Sequence, residues 1–401
     1  MKKLSVLAFA TLSAVGLANT QLICKLNPGA DPYKIALRYH IPLLDRSYVG
    51  SAFALYGVPS NRNADNQQAL MQADPDLAWV EDDDNLTMPE TTGKGSTIGA
   101  VGDGNALYTQ NQGLFKQINW TNIYAQKTGR QVRVAVLDTG LSPNQPALWN
   151  RTVGSVNLVE IGQKATDLPR NEDSNGNGVV DEATGHGTMV AGIINQVAPK
   201  AQLVIIRVAD SDGHATAWRI IKGLTLAVAY GCEVANISLG SQAKIVAMSD
   251  VLDWTEANNL LICAPLGNDN QNLALFPAGI HNALSVAGVD PVDKKASFSN
   301  WEGLTLACAP ATGVKSYWWD GTLGIWSGTS FASPFVAGVI ADGLRQISSP
   351  LTPQVLRNLA KSSGDSVDLK NPSYKAQLGT RLNALKLESA IINSSKGGGG
   401  P

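Results

Sequence analysis

The chain is short of charge, of histidine and of cysteine, and each shortage removes a class of function. Charged residues make up 16% of its 401 positions, with 31 Lys and Arg against 33 Asp and Glu and a net charge of -2. No basic stripe runs along it, so a nucleic-acid surface, which needs clustered cations against phosphates, is excluded. Its four cysteines show no Cys-x2-Cys spacing, which excludes a structural zinc site. Four histidines, His40, His186, His214 and His281, limit the choice of a general base. The apolar stretch Leu4 to Ala18 falls short of the about 20 residues that a membrane-spanning helix requires. It follows Met1-Lys2-Lys3 and carries the small residues Gly16 and Ala18, the pattern of a secretory signal peptide over residues 1–20, cut near Ala18 to Thr20. The protein is therefore expected to be exported. A lipid anchor on Cys24 would need small residues where Gln21-Leu22-Ile23 stand.

What the chain does have is apolar material, 44% of it, enough for a full core and more than one folded unit. Within it, Gly328-Thr329-Ser330-Phe331-Ala332-Ser333-Pro334 places a hydroxyl at a predicted strand-to-helix transition, with Pro334 expected in the helix's first turn. Ser330 at a helix N-terminus would have amide N-H groups and the positive end of the helix dipole beside it, a geometry for acyl transfer. Helix capping by Thr329 or Ser330 is the simpler alternative. A serine hydroxyl needs a base, and His186 stands in the open frame Thr184-Gly185-His186-Gly187-Thr188 ahead of an apolar helical run. The base needs an orienting carboxylate. Asp138 ends the β-branched run Val132 to Leu137, and a carboxylate at the end of a parallel strand points into the crevice where α/β proteins keep their sites.

Asp138-Thr139-Gly140, Gly185-His186-Gly187-Thr188 and the Ser330 segment, in this order, resemble the subtilisin family of serine proteases over roughly residues 115 to 392. The resemblance implies a secreted endopeptidase in which Asp138, His186 and Ser330 form the catalytic triad. It implies further that Asn268, closing Leu261-Ile262-Cys263-Ala264-Pro265-Leu266-Gly267, supplies an oxyanion donor. Ser238-Leu239-Gly240, Leu266 and Gly267 would then line the substrate strand, and Leu275 and Phe276 the pocket for the residue before the scissile bond. Pro265-Leu266 and Leu275 are bulkier than the family's usual residues, which implies a smaller or more selective pocket. Met189 replaces a histidine common in the family but outside the triad. Two rival readings use the same fold: a catalytically silent binding protein, and an esterase or exopeptidase.

The fold expected is α/β, a parallel sheet flanked by helices on both faces. Its basis is the alternation of strand-like Leu203 to Val208, helical Thr216 to Tyr230, strand-like Val234 to Leu239, helical Val246 to Ala257 and strand-like Leu260 to Ala264. Trp218, Ile221, Leu224 and Val228 fall at helical spacing and are expected in the core. Ahead of this catalytic domain, residues 114–395, the family resemblance implies a small α+β propeptide over 21–90 that acts as intramolecular inhibitor; an ordinary accessory domain is the alternative. Residues 91–113 read as a linker and 396–401 as a flexible tail. Cleavage is expected between about Asp82 and Gly113.

Without Cys24, the cysteines Cys232, Cys263 and Cys308 permit at most one disulfide, and their apolar settings favour buried thiols. Asp173, Asn175, Asn177 and Asp181 alternate as in the first half of a calcium loop, though Thr184 stands where a bidentate glutamate belongs. A stabilising calcium and a solvated turn-rich insertion both fit. The chemistry itself requires no cofactor, and the expected partners are polypeptide substrates and the chain's own propeptide.

Overall fold

The computed structural model describes residues 18–47, 52–89, 110–121 and 128–396. Most of the expected signal peptide, linker and tail lies outside the described residues. The chain divides into two compact units, residues 1–83 and 84–401.

In the first unit four antiparallel strands lie in the order Leu43–Arg46, Phe53–Pro59, Ala18–Leu26, Leu77–Asp82. Two helices, Pro32–Tyr39 and Ala64–Gln72, accompany them. The first begins with Asp31 accepting the Tyr33 amide and Pro32 in the opening turn, where its missing N-H costs nothing. Leu22, Cys24, Ile35, Tyr56, Met71 and Val80 form its core. This is an α+β unit.

The second unit is built on a nine-stranded sheet. Its order is Asp365–Ser366, Thr380–Arg381, Ala307–Pro310, Ala283–Val289, Leu261–Pro265, Val234–Ile237, Arg133–Asp138, Gln202–Arg207, Thr152–Asn157. All neighbours run parallel except the pair Asp365–Ser366 and Thr380–Arg381. The central strands are mostly apolar because helices cover both faces, with Asn236 a polar exception inside Val234–Ile237. Val134 and Val136 join the core formed by the helices His186–Val197 and Thr329–Arg345. Leu137 and Ile206 meet the helix Ala217–Ala229 at Gly223 on the other face. Trp218, Ile221 and Leu224 of that helix are buried, as their spacing predicts.

The helix Thr329–Arg345 is buried along its whole length. Pro334 is its sixth residue and lies beyond the first turn, contrary to the expectation from sequence. The proline leaves the Ser330 carbonyl without its helical donor, and Ser238 Oγ donates to that carbonyl at 3.1 Å instead. The four cysteines are buried free thiols. Burial pushes the Cys232 thiol up to about 12 and those of Cys24, Cys263 and Cys308 further, so all four are inert at neutral pH.

The helices His186–Val197 and Thr329–Arg345 meet at Gly338, where a Cβ would fall 2.1 Å from Val197 Cγ2 and 3.3 Å from the Ile194 carbonyl oxygen. Val197 is β-branched and has little rotamer freedom in a helix, so it cannot swing aside. Gly338→Ala is expected to destabilise the protein by about 1 to 3 kcal/mol, the range for overpacked cores. Val197→Ala, which removes the opposing methyl, is expected to restore part of that loss in the double variant. Denaturant unfolding of the two single variants and the double variant measures the coupling, and additive losses would contradict it.

Candidate active site

The sheet gathers the sequence-predicted residues because several of them end or follow neighbouring parallel strands. Asp138 ends Arg133–Asp138, Ser238-Leu239-Gly240 follow Val234–Ile237, and Leu266-Gly267-Asn268 follow Leu261–Pro265. Their carboxyl ends open on one side of the sheet, the position of the crevice in α/β folds.

His186 is the first residue of its helix and fully buried. Its Nδ1 lies 2.8 Å from Asp138 Oδ1, which also accepts the Thr139 amide at 2.8 Å. This pairing places the ring proton on Nδ1 and turns Nε2 into an acceptor. The imidazole packs edge-on against Trp326 at 5.5 Å between centroids and against Phe331 at 5.1 Å. Phe331 follows Ser330, so the ring contact holds the imidazole beside the helix turn that carries the Ser330 hydroxyl.

Ser330 is the second residue of Thr329–Arg345. Its Oγ is 3.5 Å from the Ser238 carbonyl oxygen. A buried polar chain supports it from below: Asn236 Nδ2 donates to Ser238 Oγ at 2.8 Å and Ser333 Oγ donates to Asn236 Oδ1 at 2.7 Å. Asn268 is buried, and its Oδ1 accepts both the amide and the hydroxyl of Thr329 at 2.9 Å. Two donors on Oδ1 fix the amide so that Nδ2 is its donating end. Thr329, Asn236 and Ser333 thus bond the predicted site residues; the sequence reading offered Thr329 only as a helix cap and gave Asn236 and Ser333 no role. The signal for Asn236 was present, a polar side chain inside the buried strand Val234–Ile237.

Leu275, buried, hydrogen-bonds through its amide to the Leu266 carbonyl. Its side chain lies against both Gly240 and Gly267, where any added Cβ would come within 2.9 Å of it. Phe276 and Ser241 exchange backbone hydrogen bonds at 2.8 and 3.0 Å, so the wall and the strand-like segment after Gly240 are knitted together. A cavity of about 240 Å³ beside them is lined by Thr87, Pro89, Gly240, Asp269 and Leu275, among others. The strand Asn85–Thr87 pairs antiparallel with His214–Thr216. On its other side Thr87 exchanges two backbone hydrogen bonds with Gly240, at 3.1 and 2.9 Å, while the Met88 amide extends the pairing with His214–Thr216 by reaching the Gly213 carbonyl. Leu86 and Met88 are completely buried.

The alternating oxygens of the expected calcium loop are occupied by the chain itself. Asp173 and Asn175 accept the Asn177 amide, Asp173 accepts the Gly178 amide, and Asn177 accepts the Val179 amide. Asp181 turns to the amides of Arg170, Asn171 and Glu172 and to the Ser211 hydroxyl. Burial raises the Asp181 carboxyl, but these hydrogen bonds outweigh it and leave the group below its ordinary value. Among the described residues no group of three or more His, Cys, Asp or Glu is placed to hold a metal ion. Asp173, Asn175 and Asn177 thus bond the amides of their own turn, and Asp181 those of the segment before it.

The sequence model of the subtilase family matches residues 129–380. Among curated relatives, the chain is 33% identical to subtilisin BL of Lederbergia lenta over 61% of this chain and 87% of that one. It is 31% identical to M-protease of Shouchella clausii over 68% and 64% of the two chains, and 30% identical to thermitase of Thermoactinomyces vulgaris over 53% and 74%. Among solved structures, fervidolysin from Fervidobacterium pennivorans superposes with a TM-score of 0.73 at 17% identity, covering 95% of this chain and 61% of that one. A cold-adapted subtilisin-like serine proteinase superposes at 0.53 with 28% identity, covering 63% and 88%. The chain therefore belongs to the subtilase family and is a serine-type endopeptidase that acts on polypeptides.

Proposed function

We propose that this endopeptidase is exported as a zymogen and cleaves peptide bonds through Asp138, His186 and Ser330, with Asn268 at the oxyanion. The 2.8 Å contact between Asp138 Oδ1 and His186 Nδ1 carries the reading. With its proton on Nδ1, His186 accepts the Ser330 proton at Nε2 as Oγ attacks the carbonyl carbon, and Asp138 stabilises the imidazolium that forms. The negative charge on the carbonyl oxygen is held by Asn268 Nδ2 and the Ser330 amide, in a site already dry and oriented. His186 then gives its proton to the leaving amine, and water repeats the sequence on the acyl-enzyme. None of these steps uses a cofactor.

Two features support self-processing and the expected substrate groove. Asn85–Thr87 lies as an added antiparallel strand between His214–Thr216 and Gly240, the way an extended peptide binds a sheet edge, through main-chain hydrogen bonds with side chains in alternate pockets. The chain is then its own first substrate, cut on the C-terminal side of that strand, and residues 21–90 form the inhibitory propeptide. The N-terminal Met1-Lys2-Lys3 and the apolar stretch after it support export. Among the described residues no helix is long and apolar enough to cross a membrane. Leu275, seated between Gly240 and Gly267, supports a pocket that takes a small residue before the scissile bond.

Ser330→Ala is expected to fold and be exported but to remain full length, while the wild type loses its N-terminal segment and begins between Glu90 and Gly113. Intact mass and N-terminal sequencing of both products check this. A variant that matured unaided would refute self-processing. Leu275→Gly is expected to raise kcat/KM for peptides with Phe before the scissile bond, relative to Ala, by about tenfold or more, the scale for relieving a few methylenes of steric exclusion. An unchanged ratio would place the specificity pocket elsewhere.

A further inference from the structure

The helix that delivers His186 lacks a cap of its own. Gly185, at its N-cap position, has a φ of 94° and no side chain, and a Cβ there would fall within 3.0 Å of the Trp318 ring. The usual Ser, Thr, Asp or Asn cap is thus excluded on two counts, backbone conformation and space. The donors it would have satisfied are nevertheless satisfied, by residues distant in sequence. Thr139 Oγ1 accepts the Gly187 amide at 2.9 Å. Asp167, which is 1% exposed, accepts the Gly185 amide through Oδ1 at 2.9 Å and the Thr188 amide through Oδ2 at 3.1 Å. It also accepts the Thr188 hydroxyl at 2.6 Å. That hydroxyl accepts the Ser142 amide in turn, tying the cap to the loop that follows Asp138.

The geometry points to Asp167 as a positioning residue for the reaction: a carboxylate supplied from outside the helix that caps its first turn and fixes the rotation at which His186 meets Asp138 and Ser330. The inference rests on the triad reading above. All three of its hydrogen-bond partners donate, which suits the ionised, acceptor-only form, and a negative charge at a helix N-terminus is favourable. Burial raises the carboxyl's affinity for a proton, the Thr188 and Gly185 hydrogen bonds lower it, and Asp138 raises it further, for a net value above the ordinary one. The buried Arg207 guanidinium, held by Glu160 and the Thr166 carbonyl, also interacts with the Asp167 charge, and Arg170, Glu160 and Glu172 surround that guanidinium in turn.

Asp167→Asn keeps size and shape but turns an N-H toward one of its donors. In the processed enzyme, with active sites titrated by a serine-directed phosphonate, kcat is expected to fall by about tenfold to a hundredfold with KM nearly unchanged, the cost of a misplaced catalytic group. The acid limb of the pH profile is expected to move to lower pH, because removing a nearby negative charge makes His186 easier to deprotonate. A variant with a lowered melting temperature but an unchanged kcat and acid limb would overturn the inference. If Asp167→Asn yields no folded enzyme, Thr188→Ser and Thr188→Val decide. The serine keeps the hydroxyl and is expected to retain kcat, the valine to lose it at constant KM, and equal kcat in the two overturns the inference. His186→Ala serves as the control. Wild-type turnover there removes the triad reading itself, whereas a dead His186→Ala beside an unaffected Asp167→Asn removes only the role of Asp167.

Discussion

The packing of His186–Val197 against Thr329–Arg345 is the constraint on which the site depends. Each helix carries a residue of the proposed triad in its first turn, His186 in one and Ser330 in the other, and the proposed mechanism needs the two together at the carboxyl edge of the sheet. Long side chains at the crossing would hold the axes apart. Gly338 against Val197 and Ile194 removes that separation, and Phe331 against the His186 ring then fixes the last few ångströms. Helix cores are close to crystalline in density, so a contact this tight transmits small displacements instead of absorbing them. The placement of His186 and Ser330 is in this sense a property of the core beneath them.

Burying the polar groups that chemistry requires has a cost that the structure offsets with backbone and hydroxyl groups. Asp138, Asp167, His186, Asn268 and Ser330 are all buried, where an unpaired polar atom is penalised by several kcal/mol or a shifted protonation state. Asp138 uses the Thr139 amide, Asp167 two amides and a hydroxyl, and Asn268 the amide and hydroxyl of Thr329. These partners cannot move far without unfolding a turn or a helix end. Preorganised dipoles of this kind are what make a water-excluded site effective, since nothing must reorient when charge develops.

Much of this was legible in the sequence where function and local structure coincide. The runs around Asp138 and Asn268 carry both a buried-strand pattern and the site residue, and the frames around His186 and Ser330 carry both a helix start and the reactive group. The alternation of Leu203 to Val208, Thr216 to Tyr230 and Val234 to Leu239 fixed the sheet and its flanking helices for the same reason. Asp167 was not legible. Its partners lie 18 and 21 residues further on, and nothing in Thr166-Asp167-Leu168 distinguishes a distant cap from a turn residue. The loop from Asp173 to Asp181 left two readings open in the sequence. Alternating oxygens are needed for calcium but are equally suited to bonding a turn's own amides, and only the fold decides which donors they meet. Pro334 was misplaced because its preference for a first turn assumes an unpartnered carbonyl four residues back, and Ser238 supplies the donor that sequence could not foresee.

The proposed substrate groove would separate specificity from catalysis by the same use of backbone. Gly240 and Gly267 present main chain to the groove, and the groove strand pairs through main chain with Thr87 without regard to side-chain identity. Selectivity then falls to whatever side chain occupies the space between those glycines, which here is Leu275. Its backbone is pinned by the Leu266 carbonyl and its neighbour Phe276 by Ser241, so the side chain is held against the glycines. A change at Leu275 therefore reshapes the pocket while leaving the hydrogen bonds of Asp138, His186 and Asn268 in place. A change at Gly267 cannot do so, because the space for its side chain is already taken by both Leu275 and Asn300, and Asn300 Oδ1 holds the amides of Asp269 and Gln271 just beyond Asn268. Under the proposed mechanism the two positions therefore differ in kind: Leu275 would set what is cut, and Gly267 would keep Asn268 in place to cut it.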